Sequence, residues 1–492
     1  MNHTHFTSIS ILFISFSMEN HKTPFSLSLD TKNVVIVKPS KPTPSEILAL
    51  STIDNDPNIN ILCQTIYVYK ANKNFSNDQK DPASVIKEAL SKALVYYYPL
   101  AGKLTTLDDD DEKLGINCNG DGVPFMEANA NCDLSSLNYL EGIDVPTAQM
   151  LVFDNPSQDQ TSPHPLVFKV TKFLCGGFTI GMGLSHSVCD GFGASKFYRA
   201  LSEFASGKNE PSVKPVWERE RLTVKKTTLK KEEPFKFLVD ETSLATSPFL
   251  PTKEISHECF NLNIETIKNL KMKLMKEIDS DSDSDSDNVM KESFTITTVE
   301  ALGAYVWRSK VRALKLNNDG STLFCLAVGV RNLMDPPLHE GYYGNAFVGS
   351  NVVLKVKELN EKPLFETVKL IKESKKASMN EEHIRNSMNM LEIMRKRKIK
   401  VEGRGASLVL TDWRQLGLLQ EVDFGWKGSV NIVPVPWNMF GFVDLCLFLP
   451  PNNLDPLMKG GVRIFVSLPK ASMDKFKEEM ELLKGMKVDE DI

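Results

Sequence analysis

The sequence predicts a mixed α/β (α+β) protein built as two domains of two layers each. Three observations predict it. A chain of 492 residues is long enough for two or three domains with ample buried core. Stretches with the period of two of a strand and the 3.6 period of a helix are mixed along both halves. Between them, residues 208–251 are rich in Pro, Lys and Glu and poor in apolar periodicity, as a crossover between domains would be.

In chain order, Asn33–Lys38 and Ile61–Lys70 read as strands. Asp81-Pro82 supplies an N-cap and a first-turn proline for a helix whose stripe is Val85, Ile86, Ala89, Leu90 and Ala93. Pro99 and Gly102 stop it. Leu114–Cys118 and Val123–Glu127 flank a glycine turn, as in a hairpin. Pro165–Phe173 alternates and leads into Gly176–Ser185, where Phe178, Ile180, Met182 and Leu184 share one face and Gly177, Thr179, Gly181 and Gly183 the other. The glycine face invites close approach of another backbone or of a ligand. After Gly191 the period lengthens, and Phe197, Leu201 and Phe204 mark a helix ending near Gly207.

In the second half Ile264, Ile267, Leu270 and Leu274 restart a helix, and Thr297 with Glu300 forms a capping box ahead of Ala301–Ala313. Leu323–Val330 is a strand and Phe365–Ser378 a helical stretch. Ser407–Trp413, Val430–Val435, Phe442–Leu449 and Val462–Leu468 read as strands, and Met473, Phe476, Met480 and Leu483 stripe a last helix. The expected organisation is a disordered or non-native extension over 1–30, an N-terminal domain over 31–207, the crossover over 208–251, and a C-terminal domain over 252–492. Residues 279–288 of that last domain, acidic and of low complexity, form a disordered surface loop; the loop glycine and terminal glutamate of a calcium loop are missing.

Composition excludes several classes. A net charge of −5 gives no reason to expect nucleic acid. The apolar run Ile9–Phe16 lacks a preceding basic residue and a cleavage site, and is too short to span a bilayer, so no membrane association is expected. Met18 offers an alternative start. Eight scattered cysteines without a CxxC pair argue against a disulfide framework or a zinc ribbon and fit a reducing cytoplasm.

The residue best placed for chemistry is His186. It sits in the turn between the alternating strand and the helix, and histidine, with an ordinary pKa of about 6.5, can take and return protons near neutrality. Asp190, four residues on, has two readings: partner in a His–Asp dyad, or N-cap of the helix. The helix start favours the cap. Cys189 reads as a half-buried structural thiol. Asp423-Phe424-Gly425 mimics a kinase metal motif, but the accompanying nucleotide loop, lysine and catalytic loop are missing. With no GxSxG, Walker or dinucleotide pattern either, cofactor-free acid–base chemistry remains.

Taken together, His186-Ser187-Val188-Cys189-Asp190-Gly191 and Asp423-Phe424-Gly425-Trp426-Lys427 resemble the HxxxDG and DFGWG markers of the plant BAHD acyl-CoA-dependent acyltransferases. Tyr98-Pro99-Leu100-Ala101-Gly102, Gly120-Asp121-Gly122-Val123-Pro124-Phe125 and Gly344-Asn345 agree with the same family. Within it the chain is most similar to the branch holding spermidine hydroxycinnamoyl transferases, benzyl-alcohol benzoyltransferases and taxane-type acyltransferases. Phrases such as Pro215-Val216-Trp217-Glu218-Arg219-Glu220-Arg221 and Thr411-Asp412-Trp413-Arg414 look closest to the spermidine enzymes.

The resemblance implies two chloramphenicol-acetyltransferase-like domains meeting along a channel, with acyl-CoA as co-substrate and no metal or prosthetic group. It makes His186 the general base and Thr411 and Trp413 the groups that meet the oxyanion. Asp190, Gly191, Arg331 and Asp423 are then structural, with Arg331 the expected partner of Asp423. Asp412 is expected to point away from Thr411 and Trp413. Lys427 stands where the family marker has glycine, and costs about 1–2 kcal/mol if that position needs a positive φ. The function implied is transfer of an aromatic, hydroxycinnamoyl-type acyl group to an amine of spermidine. The alternative is an O-acyltransferase making benzoyl, tigloyl or related esters of a small alcohol or alkaloid hydroxyl. A cytoplasmic monomer is expected in either case.

Overall fold

The computed structural model describes residues 27–71, 81–107, 113–142, 144–153, 162–224, 241–281, 295–399, 404–419, 422–435 and 443–487. Two large sheets carry the fold. The first runs β1 (Leu29–Thr31), β7 (Val123–Ala130), β8 (Leu166–Lys172), β9 (Phe178–Ser185), β4 (Leu62–Tyr69) and β14 (Asn431–Val435), with β2 (Val35–Val37) also pairing with β7. The second runs β10 (Ile255–Leu262), β16 (Val462–Pro469), β15 (Leu445–Leu449), β13 (Ser407–Asp412), β11 (Ser321–Gly329) and β12 (Phe347–Lys355). A small sheet joins β3 (Glu46–Ala49), β6 (Leu114–Cys118) and β5 (Lys103–Thr106).

Helices α1 (Pro82–Tyr96) and α3 (Gly191–Ala205) share one apolar core with the first sheet. The cap of α1 is as the sequence predicts: the Ser84 N–H donates to Asp81, and Pro82 occupies the first turn, where its missing N–H costs nothing. The stripe of α3 buries Phe197, Leu201 and Phe204 completely or nearly so, each contributing about 1.5–3 kcal/mol by transfer from water. Short α2 (Val145–Met150) lies between β7 and β8 in the chain. In the second half α4 (Ile264–Asp281), α5 (Thr298–Ala313), α7 (Leu364–Ala377) and α9 (Lys470–Lys484) share a second core with the second sheet, the fully buried Trp307 included. Thr297 and Glu300 form the expected capping box of α5. A third cluster, with Ile66, Val68 and Val433 from the first sheet and Leu445, Leu447 and Phe465 from the second, joins the two sheets. Among the described residues no helix is long and apolar enough to cross a membrane.

Several expectations change. Leu29 and Asp30, assigned to the extension, pair with Ala130 and Asn129; residues 1–26, with the run Ile9–Phe16 and Met18, lie outside the described residues. Cys118 and Val123 do not bound a hairpin, because β6 and β7 belong to different sheets. Gly120 (φ 68°) and Gly122 (φ 101°) turn the chain from one sheet to the other, a left-handed path that suits glycine. The boundary at 251 divides the chain in sequence but not throughout in space, since β14 pairs antiparallel with β4, Ile432 opposite Tyr67. Helix α4 continues to Asp281, taking in the first residues of the acidic loop; 282–294 lie outside the described residues, as do 225–240 of the crossover. Strand β12, α6 (Val356–Glu361) and α8 (Glu381–Lys396) were not anticipated.

Candidate active site

A cavity of about 420 Å³ opens between the two sheets, within the size range of small-molecule sites. Thr65 and Tyr67 of β4 and Met182 and Leu184 of β9 line one wall. Cys325 and Ala327 of β11, Phe347 of β12, and Val409 and Thr411 of β13 line the other. The glycine face of β9 is not the cavity face. A β-carbon on Gly181 would meet the Leu151 carbonyl oxygen at 2.3 Å and one on Gly183 the Val167 side chain at 2.6 Å, so the close approach on this face is by the protein's own backbone and side chains.

His186 lines this cavity, immediately beyond β9. Its backbone is held on both sides: the N–H donates to the Ile61 carbonyl at 2.9 Å, and the carbonyl accepts from Asn345 Nδ2 at 2.7 Å. The ring lies 6.0 Å from that of Phe347. Its Nδ1 is buried and meets no hydrogen-bond partner among the described residues. The ring is therefore aimed by backbone anchoring and packing, not by a carboxylate behind it.

Asp190 caps α3. Its carboxylate accepts from the Gly193 and Ala346 amides at 2.9 and 3.0 Å, and from Arg331 Nη1 and Nη2 at 2.8 and 2.7 Å. Both oxygens are thus committed away from His186, which excludes the dyad in this geometry. Burial opposes its charge, but Arg331 and the two amides outweigh burial and hold Asp190 below the usual carboxylate range. The second donor of Arg331 also reaches the Gly344 carbonyl at 2.7 Å. The expected Arg331–Asp423 pair is not formed. Gly191, at the first turn of α3, packs so closely that a β-carbon would meet Leu416 at 2.5 Å.

A second ion pair braces the same turn. Fully buried Asp54 accepts from Arg219 Nη1 at 3.0 and 2.9 Å and from Asn345 Nδ2 at 2.8 Å, while Arg219 Nη2 donates to the Val188 carbonyl at 2.8 Å. The turn 186–190 is consequently gripped at His186 by Asn345, at Val188 by Arg219 and at Asp190 by Arg331. Sequence reasoning gave no role to Asp54, Arg219 or Asn345. Arg219 and Asn345 did fall inside the phrases that carry the resemblance, but a phrase does not say which of its residues is buried or what it meets.

Thr411, Asp412 and Trp413 all border the cavity. Asp412 is the last residue of β13, where it still pairs with Phe448. Its carboxylate is nevertheless occupied, by Arg414 Nε and Nη2 at 2.8 and 2.5 Å. Cys63 and Cys325 also line the cavity; burial pushes each thiol up to about 12, far from a thiolate nucleophile. Burial likewise pushes the Cys189 thiol up. Asp56, unnoticed in the sequence, lines the cavity as well.

Asp423 is not a lining residue. It is exposed, and its carboxylate accepts from the Gly425 amide at 2.7 Å, closing its own loop. The buried members of that loop are Phe424, edge-on to Tyr69 and Tyr198, and Trp426, edge-on to Phe178. Lys427 has φ 63°, so the position does adopt the left-handed region that glycine favours.

Residues 27–483 match the model of the Transferase family. The chain is 42% identical to spermidine coumaroyl-CoA acyltransferase of Arabidopsis thaliana, over 95% of this chain and 99% of that one. It is also 42% identical to spermidine sinapoyl-CoA acyltransferase of the same plant, over 91% and 96%. Taxadien-5-alpha-ol O-acetyltransferase of Taxus chinensis is 32% identical, over 94% and 98%. Among solved structures, Vinorine Synthase superposes with a TM-score of 0.69 at 21% identity, over 93% of this chain and 98% of that one. TRI101 of F. sporotrichioides, complexed with Coenzyme A and T-2, superposes with 0.63 at 18%, over 89% and 99%.

Proposed function

Since the chain belongs to the Transferase family, the BAHD acyl-CoA-dependent acyltransferases with two chloramphenicol-acetyltransferase-like domains, we propose that it moves a hydroxycinnamoyl-type acyl group from CoA to an amine of spermidine, with His186 as general base. The observation that carries this reading is the 42% identity, over nearly the whole chain, with two acyltransferases whose names give spermidine as acceptor.

Aliphatic amines, with pKa near 10, are mostly protonated at neutral pH and must lose a proton to attack. A largely apolar cavity disfavours the ammonium form of the reacting nitrogen. His186 takes the proton as the nitrogen attacks the thioester carbonyl. The carbonyl oxygen becomes an oxyanion, and Thr411 and Trp413, bordering the same cavity, are the donors we assign to it. Collapse of the tetrahedral intermediate forms the amide and breaks the carbon–sulfur bond. CoA leaves as thiolate and the proton on His186 returns to solvent or to the thiolate. Asn345, Arg219 and Arg331 supply positioning only, holding the turn that aims His186.

The test is CoA release by the purified protein from coumaroyl-CoA, with spermidine compared against benzyl alcohol and a tropane-type alcohol, and with His186→Ala alongside. Turnover on spermidine, reduced by about 10²-fold or more in the variant, is expected. Turnover on alcohols alone would replace the acceptor, and a variant with wild-type rates would remove the base.

A further inference from the structure

Four aspartates are among the residues that line the cavity: Asp56, Asp190, Asp412 and Asp444. Three hold a cationic partner of the protein, namely Arg331, Arg414 and Lys310 respectively. Asp56 differs. In the loop between β3 and β4, its bonds come from the Asn58 amide and Nδ2, at 2.9 and 2.8 Å, and both fall on Oδ1. Among the described residues no lysine or arginine pairs with it, and the titratable group that acts on it is His186, which lines the same cavity. We infer that Asp56 is the binding site for a second, protonated nitrogen of the acceptor, holding a di- or polyamine so that a different nitrogen lies at His186.

The physical case is one of complementary needs. A carboxylate in a largely apolar wall is unfavourable without a counterion, and burial accordingly pushes Asp56 up against the lowering effects of Asn58 and His186. A polyamine brings the opposite problem into the same cavity: one nitrogen must be neutral to react, while the others remain ammonium ions that lose their water on entry. An Asp56–ammonium contact solves both, as a charge-assisted hydrogen bond in a poorly solvated site. The other three lining carboxylates cannot serve without breaking an existing ion pair. A monoamine or a simple alcohol, having no second cation, draws nothing from Asp56. The inference rests on the proposed polyamine acceptor.

The experiment compares two acceptors within each protein. CoA release from coumaroyl-CoA is followed with spermidine and with n-butylamine, for the full chain as wild type, Asp56→Asn and Asp56→Glu. The quantity read is the ratio of kcat/KM for spermidine to that for n-butylamine, which is independent of the fraction of each preparation that is folded. The expected result is a ratio about tenfold or more lower in Asp56→Asn, mainly through KM for spermidine, with partial recovery in Asp56→Glu. An unchanged ratio overturns the inference, including the case where both acceptors fall together, as they would if Asp56 acted only through His186. If the wild type releases no CoA with spermidine, the polyamine acceptor itself is wrong and this subsite falls with it.

Discussion

Arg331 places its two terminal nitrogens on the two oxygens of Asp190, at 2.8 and 2.7 Å. One partner lies just past the end of β11 in the second sheet; the other caps α3 in the first core, four residues after His186. The pair therefore ties the second sheet to the turn that carries His186, the proposed base. Asp190 is almost fully buried, so removing Arg331 leaves a buried charge without its counterion, at a cost of about 3–5 kcal/mol. Arg331→Ala is expected to lower soluble yield and melting temperature, and to lower activity per folded molecule as well, since His186 loses an anchor of its turn. Arg331→Met with Asp190→Asn removes the charges together and should melt above Arg331→Ala. Equal melting of Arg331→Ala and wild type would show that the pair does not hold the fold.

The same pair sets a direction in pH. Burial disfavours the Asp190 carboxylate, but Arg331, Gly193 and Ala346 more than compensate and depress its folded-state pKa. A depressed acid contributes stability above its unfolded value, near 3.9, and loses it as pH falls through the lower folded value. The melting gap between wild type and Asp190→Asn should therefore stay constant above about pH 5 and narrow below about pH 4. Glu127 and Glu300 are depressed too, also against burial, through lysine partners. Comparison with Asp190→Asn cancels their common contribution. A gap that widens in acid would contradict this assignment.

What could be read from the sequence was what local chemistry determines. The alternation of Phe178–Leu184, the stripe of Phe197, Leu201 and Phe204, and the Thr297–Glu300 box each declare an element within a few residues. His186 was legible because a strand end and a helix start bracket it. The partners of Asp190 and Asp423 were not, since an arginine is equally charged wherever it lies, and only the fold brings Arg331 to Asp190. The glycine turn at 120–122 was visible, but the change of sheet it produces depends on strands distant in sequence. Asp56 was invisible for the same reason: its significance is that, among the described residues, no lysine or arginine pairs with it, while each of the three other aspartates lining the cavity has such a partner.

The loop 423–427 separates two contributions that the resemblance merges. Asp423 is exposed and bonds to its own Gly425 amide, a local bond worth about 0.5–1.5 kcal/mol. Phe424 is buried among Tyr69 and Tyr198, and its truncation removes a ring from a packed core at about 3–5 kcal/mol. Phe424→Ala should thus lower the melting temperature severalfold more than Asp423→Ala, measured by calorimetry on both. Comparable losses would mean that Asp423 makes a stronger contact than its bond to Gly425.

Lys427 gives the last test, because it holds φ 63° with a solvent-exposed side chain. A residue with a β-carbon pays about 1–2 kcal/mol there. Glycine escapes that strain but adds about 0.5–1 kcal/mol of backbone entropy to the unfolded chain. The net gain for Lys427→Gly is about 0–1.5 kcal/mol, centred near 0.75. Spread over the unfolding entropy of a chain this long, it raises the melting temperature by only about 1 °C. Rank order is the more decisive reading. A β-branched side chain tolerates positive φ worst, so the order of melting should be Lys427→Gly, then wild type, then Lys427→Val. Should the valine variant melt at or above the glycine variant, the loop does not keep this left-handed turn in solution.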